Sequence, residues 1–137
     1  MRVLGLKLPA VLAAAVAVYA TGFLIYGVLF DAQWMALSGY TPESFAGQEW
    51  RMALSPVMPV AITLGIGLLV RDRGITTWQA GLKLGLLVGA CFLVAARAYN
   101  FVYGIEPVGL LALDSLHLML NGAAAGAILG GMKAAAP

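Results

Sequence analysis

From Leu8 to Phe30 the chain carries no charged side chain. A bilayer's hydrocarbon core is about 30 Å thick and takes about 20 apolar residues of helix at 1.5 Å each to cross, so this run is long enough to span it. Three further stretches meet the same requirement, at about residues 52–70, 77–103 and 107–132, which sets the first span at 8–30. Composition agrees, because 62% of the residues are apolar and 10% charged. A soluble domain has about 45–50% and about 25%, so too little charge is present here to cover a globule with water. The fold class that follows is an all-α membrane protein, one four-helix transmembrane bundle over residues 1–137. Arg2 and Lys7 ahead of an Ala-rich run imitate a secretory signal. The apolar run exceeds the roughly 7–15 residues of a signal core, and it is read as a retained span.

Lys and Arg in short flanking segments favour the cytoplasmic side. Arg2, Lys7, Arg71, Arg73, Lys83 and Lys133 fall on one side of the four spans and only Arg51 on the other, with Asp31, Glu43, Glu49 and Glu106. Both termini are therefore expected in the cytoplasm, with the first loop and the tight third turn outside. Trp34, Tyr40, Trp50 and Tyr103 would form the outer aromatic belt and Trp78 the inner one. Eight basic against six acidic residues leave a formal charge of +2, with no basic run among aromatics, so nucleic acid is not an expected partner.

Local signals suggest where the helices end. Thr76 with Gln79 three residues on matches a capping box for the third span, and Ser55 before Pro56 matches an N-cap for the second. From Pro56 alone that span is short, and Pro59 adds irregularity. In the first loop Gly39 is expected to break the chain, and Thr41 and Pro42 to open a short interfacial helix reaching about Trp50.

The informative residues are the polar ones inside spans three and four: Arg97 and Asn100, then Asp114, His117 and Asn121. At 100° per residue the last three lie within about 60° of arc, one stripe of the fourth helix. The connection 104–107 is short, so the two helices are antiparallel neighbours. Reflection about its middle puts Arg97 and Asp114 at equal depth. Each charge costs about 2.5–3.5 kcal/mol near the bilayer centre, and pairing is the cheaper arrangement. Two readings stay open. In one, Arg97 and Asp114 only set helix register, while His117 and Asn121 hydrogen-bond across the bundle. In the other, these residues line a polar pocket opening outward, where His117 titrates in the physiological range. A protonated His117 with Arg97 suits an anion; a neutral one with Asp114 suits a proton relay or a metal.

The chain has one His and one Cys, Cys91, short of an ordinary metal or haem ligand set, so no metal and no cofactor is expected. Gly65, Ile66 and Gly67 imitate the start of a dinucleotide fingerprint but lie inside a span without the third glycine, and are read as helix packing. Gly81, Gly85 and Gly89, and again Gly122, Gly126 and Gly130, repeat at four-residue spacing, which lets helix backbones approach closely. Both stripes serve packing within the chain or a homo-oligomer, with a dimer as the default symmetry.

The order Gly22, Tyr26, Phe30, Trp34, Gly39, with Asp114 and His117 late in the chain, resembles the DUF1761 family of small bacterial integral membrane proteins of unknown function. The likeness covers almost the whole chain, although Ile25 stands where the family tends to carry Trp beside the tyrosine. It implies a bacterial inner-membrane location and a shared fold, and supplies no chemistry. Tyr26, Phe30 and Trp34, four apart, are expected on one helical face, either as interfacial anchors or as the pocket wall. Three functions compete: binding, sensing or passing a small molecule or lipid at the polar cluster; catalysis on a lipid or quinone with His117 as acid or base; and a purely structural role.

Overall fold

The computed structural model describes residues 1–136. Four helical spans, Leu8–Leu29, Glu49–Asp72, Trp78–Gly104 and Val108–Gly131, are each long and apolar enough to cross a membrane. The chain passes up and down, so both termini lie at one end of the bundle, the termini end, and the first and third connections at the other, the loop end.

The first span begins as α1 (Leu8–Leu24), with Pro9 in its opening turn, where a missing N–H costs nothing. It then widens into a π turn over Ile25–Leu29, closed by the Phe30 N–H donating to the Ile25 carbonyl at 2.9 Å. The chain continues as α2 (Asp31–Ser38) and stops at Gly39, whose φ of 72° glycine adopts without steric cost. The Gly39 break is where the sequence placed it, but α2 before it was not anticipated. The short loop helix takes a different form from the one expected. It is a single 3-10 turn, Pro42–Phe45, held by reciprocal Thr41 and Ser44 hydrogen bonding, followed by a separate 3-10 segment, Glu49–Leu54, that runs into the second span.

That 3-10 segment resolves the shortness of the second span. At about 2.0 Å per residue it is more extended than α-helix, and its 6 residues precede α3 (Val57–Asp72) through Ser55 and Pro56. Ser55 is helical (φ −57°, ψ −31°) rather than extended, so it is not an N-cap; its Oγ lies 3.4 Å from the Tyr19 hydroxyl. Pro59 falls in the first turn of α3, where its missing N–H is harmless. The cap of the third span also differs. The N-cap is Thr77, one residue beyond Thr76; its backbone is extended, and its Oγ1 accepts from the Ala80 N–H. This span runs as α4 (Trp78–Val88), a π turn (Gly89–Val94) and α5 (Ala95–Gly104). The fourth is one helix, α6 (Val108–Gly131).

α6 is the central helix, packed against α1, α3 and α4. Its contact with α4 is backbone to backbone. A Cβ added at Gly81 or Gly85 would run into the carbonyl of Gly126 or Gly122, and one at Gly130 into that of Thr77. The two glycine stripes therefore meet each other inside one chain, and the surface they suggested for a second copy is occupied.

The termini end holds an element that the sequence reading passed over, treating Arg2 and Lys7 only as flanking charges. β1 (Arg2–Val3) and β2 (Leu6–Lys7) pair antiparallel around Leu4 and Gly5, both at positive φ, as a two-residue hairpin of primed type requires. Leu6 is fully buried and seats over Gly67, where any side chain would strike it. Arg71 donates to the Leu4 carbonyl at 2.8 Å, and the Lys7 N–H to that of Ala134 at 2.9 Å, so the hairpin ties both termini to the end of α3.

Candidate functional site

The fourth-span stripe faces α1 and α5. From α5, the Arg97 Nε donates to Asp114 Oδ2 at 2.5 Å, so the pair expected from reflection about the turn forms. A second carboxylate joins it: Glu106 Oε2 lies 2.5 Å from Arg97 Nη2. Arg97 and Asp114 side chains are 15% and 14% exposed, deep enough that either charge alone would be costly. Asp114 Oδ1 accepts from the Tyr26 hydroxyl at 2.6 Å. Tyr26 projects from the π turn of the first span, and such widened turns re-aim side chains relative to an unbroken α-helix.

One turn further along α6, the His117 ring meets Tyr26 edge to face, with centroids 4.9 Å apart. The Asn121 amide Nδ2 lies 3.0 Å from His117 Nε2. Gly22 leaves the space that the ring fills, since a Cβ there would come within 3.2 Å of Nε2. The result is a polar ladder from the loop end inward: Glu106, Arg97, Asp114, Tyr26, then His117 and Asn121.

The ladder opens onto two cavities rather than one pocket. Toward the loop end a polar vestibule of about 380 Å³ is bordered by Arg97, Asn100, Glu106, Asp114, Trp34 and Tyr40. Between α1, α3 and α6 lies a larger apolar chamber of about 830 Å³, bordered by Tyr26, His117 and Asn121 among aliphatic and aromatic side chains. Trp34 borders both. The single outward pocket expected from sequence is thus divided, with Arg97, Asn100 and Asp114 on one side and His117 and Asn121 on the other.

Asn100 sits exposed at the vestibule's lip. Phe30 departs from the pocket-wall expectation, because it borders neither cavity. The π turn inserts a wider step between Tyr26 and Phe30, and Phe30 itself (φ −130°) is the joint between α1 and α2, so the four-residue spacing no longer describes one face. Trp34 nevertheless returns to Tyr26, with ring centroids 5.8 Å apart, and is covered by Tyr40 and Phe45 from the loop. Among the described residues no three of His, Cys, Asp and Glu form a group able to hold a metal ion.

Sequence reasoning missed Glu106, counted only as an outer-loop acid, and the Tyr26 hydroxyl as a partner of Asp114. Glu106 had a usable signal, since the reflection that pairs Arg97 with Asp114 also puts the turn residues above them. Tyr26 had none in the spacing of its own helix.

The family described as protein of unknown function, DUF1761, matches residues 9–130, nearly the whole chain. The chain belongs to the DUF1761 family. No curated protein and no solved structure matches it. Every ladder residue lies within the DUF1761 match, as do both cavities' polar walls, while the hairpin strand β1 and the buried Leu6 precede it. The family description carries no activity, so any chemistry has to come from the side chains themselves.

Proposed function

We propose that the protein binds a small molecule within the membrane, at the ladder Arg97, Asp114, Tyr26, His117 and Asn121, in the inner membrane of a bacterium with both termini cytoplasmic. The observation that carries this reading is the pair of cavities that share Trp34 as a wall, with Tyr26 on the chamber side bonded to Asp114 on the vestibule side. Polar residues kept only for helix register are expected to close into a packed contact, as the glycine stripes do; these border open space. Binding is favoured over catalysis because the ionisable groups already have protein partners: Asp114 has Arg97 and Tyr26, and His117 Nε2 has Asn121. The orientation draws its support from the positive residues at the termini end, where Arg2, Arg71 and Lys133 gather.

Native mass spectrometry of the full chain released from mild detergent tests the reading, and reports whether the chain is a monomer or the default dimer. The expected result is a retained small molecule in the wild type, lost in His117→Ala at an unchanged melting temperature. An empty wild-type chain, together with a lower melting temperature in His117→Ala, would assign the ladder a structural role instead.

A further inference from the structure

We infer that the ligand is a neutral molecule with a single hydroxyl on a long hydrocarbon body, lodged in the chamber between α1, α3 and α6 with its hydroxyl at His117 and Asn121. This rests on the binding reading above and supplies the ligand's chemistry. Among the described residues no Asp, Glu, Lys or Arg borders the chamber; its walls are groups such as Phe23, Met58, Ile62 and Leu118. A charged head would be desolvated there without a counter-ion. The nearby guanidinium of Arg97 is engaged by Asp114 and Glu106, and belongs to the vestibule across Tyr26. The anionic ligand that Arg97 and His117 suggested from sequence therefore has no Lys or Arg to meet in the chamber, where His117 Nε2 is already engaged by Asn121.

The polar requirement comes from Asn121. It is 2% exposed, its Nδ2 contacts His117, and its Oδ1 is buried without a partner. A half-turn of the amide exchanges donor and acceptor, and in either orientation one amide atom stays unpaired. Asn121 borders the chamber, and its unpaired atom is reached once the side chain turns toward that space; a hydroxyl then satisfies both cases because it donates and accepts, whereas an ether or carbonyl can only accept. The chamber's volume, about 830 Å³, lies within the roughly 300–1,000 Å³ of ordinary ligand pockets.

The test uses the full chain in nanodiscs of dioleoylphosphatidylcholine, a lipid without a hydroxyl. Tritiated hexadecan-1-ol is the probe, and empty discs supply the background. Unlabelled hexadecan-1-ol should displace it at a concentration at least about tenfold below 1-methoxyhexadecane, hexadecanoate at alkaline pH or hexadecyltrimethylammonium, as loss of a hydrogen bond or burial of an unpaired charge requires. Asn121→Leu should weaken retention by about tenfold, and Ile62→Phe, which narrows the chamber without touching the amide, should abolish it. Should Asn121→Leu not fold, Ile62→Phe and the head-group series still decide. Equal displacement by the ether or by either charged analogue overturns the hydroxyl assignment. So does absence of specific hexadecanol binding in a chain that retains some other molecule in native mass spectra, and the binding reading then stands. No specific probe binding and no retained molecule overturn both.

Discussion

The two halves of the bundle are built on opposite principles. Toward the termini end, Leu6, Ala10, Ala14, Val18, Ile66, Val70, Leu84, Ala125 and Leu129 form one buried cluster, and the facing glycines of α4 and α6 bring backbones into contact. Toward the loop end both π turns interrupt their helices, α5 buries no residue, and the charges of Arg97, Asp114 and Glu106 sit beside the open vestibule. In lipid, helices gain no hydrophobic drive from associating, so close packing needs small residues, and the chain concentrates them in one half. The other half forgoes that packing and is held by hydrogen bonds, which leaves room. The openings walled by the polar ladder therefore lie away from the facing glycines.

This contrast makes graded predictions, each read by reversible unfolding in mixed micelles of dodecylmaltoside and sodium dodecyl sulfate. The largest effect is expected from Gly85→Leu, whose side chain would meet the Gly122 backbone. It should cost more than about 5 kcal/mol and remove the monodisperse folded species; a folded variant would show that the α4 and α6 contact is not what holds the termini half. Next, Arg97→Met strands two carboxylates and should cost about 3–5 kcal/mol, of which adding Asp114→Leu should recover a substantial part. If the double variant is no better than the single, the loop half is not organised by this pair. Leu6→Ala should cost about 2–4 kcal/mol by opening a void over Gly67, and a cost below about 1 would place the hairpin outside the core. The smallest effect belongs to Gly65→Leu, the same substitution as at Gly85 but with nothing within 4 Å of the added Cβ. It should stay within about 0.5 kcal/mol of wild type.

Much of the architecture was legible because it follows from counting along the chain. Span lengths come from a bilayer of known thickness, and the Arg97–Asp114 pair comes from the shortness of the turn between two helices. What escaped depends on residues far apart in sequence. Tyr26 and Asp114 are separated by 88 positions, and no helical periodicity links them. The N-terminal hairpin was hidden because Arg2 and Lys7 read equally well as membrane-flanking charges, although Leu4 and Gly5 supplied a turn. Thr76 has Gln79 three residues on, the spacing of a capping box, yet the backbone places Thr77 at the cap.

By its composition and hydrophobic spacing the chain determined that it crosses a membrane four times, and by the shortness of its third connection that two of those crossings are neighbours, since these are local consequences of solvent and helix geometry. Tertiary structure decided which surfaces the glycines meet, that the π turn carries Tyr26 to Asp114 and takes Phe30 away, and that the polar stripe divides between a charged vestibule and an apolar chamber. Those outcomes depend on the relative rotation of helices, and rotation is set by side chains interlocking across the bundle rather than by any segment alone.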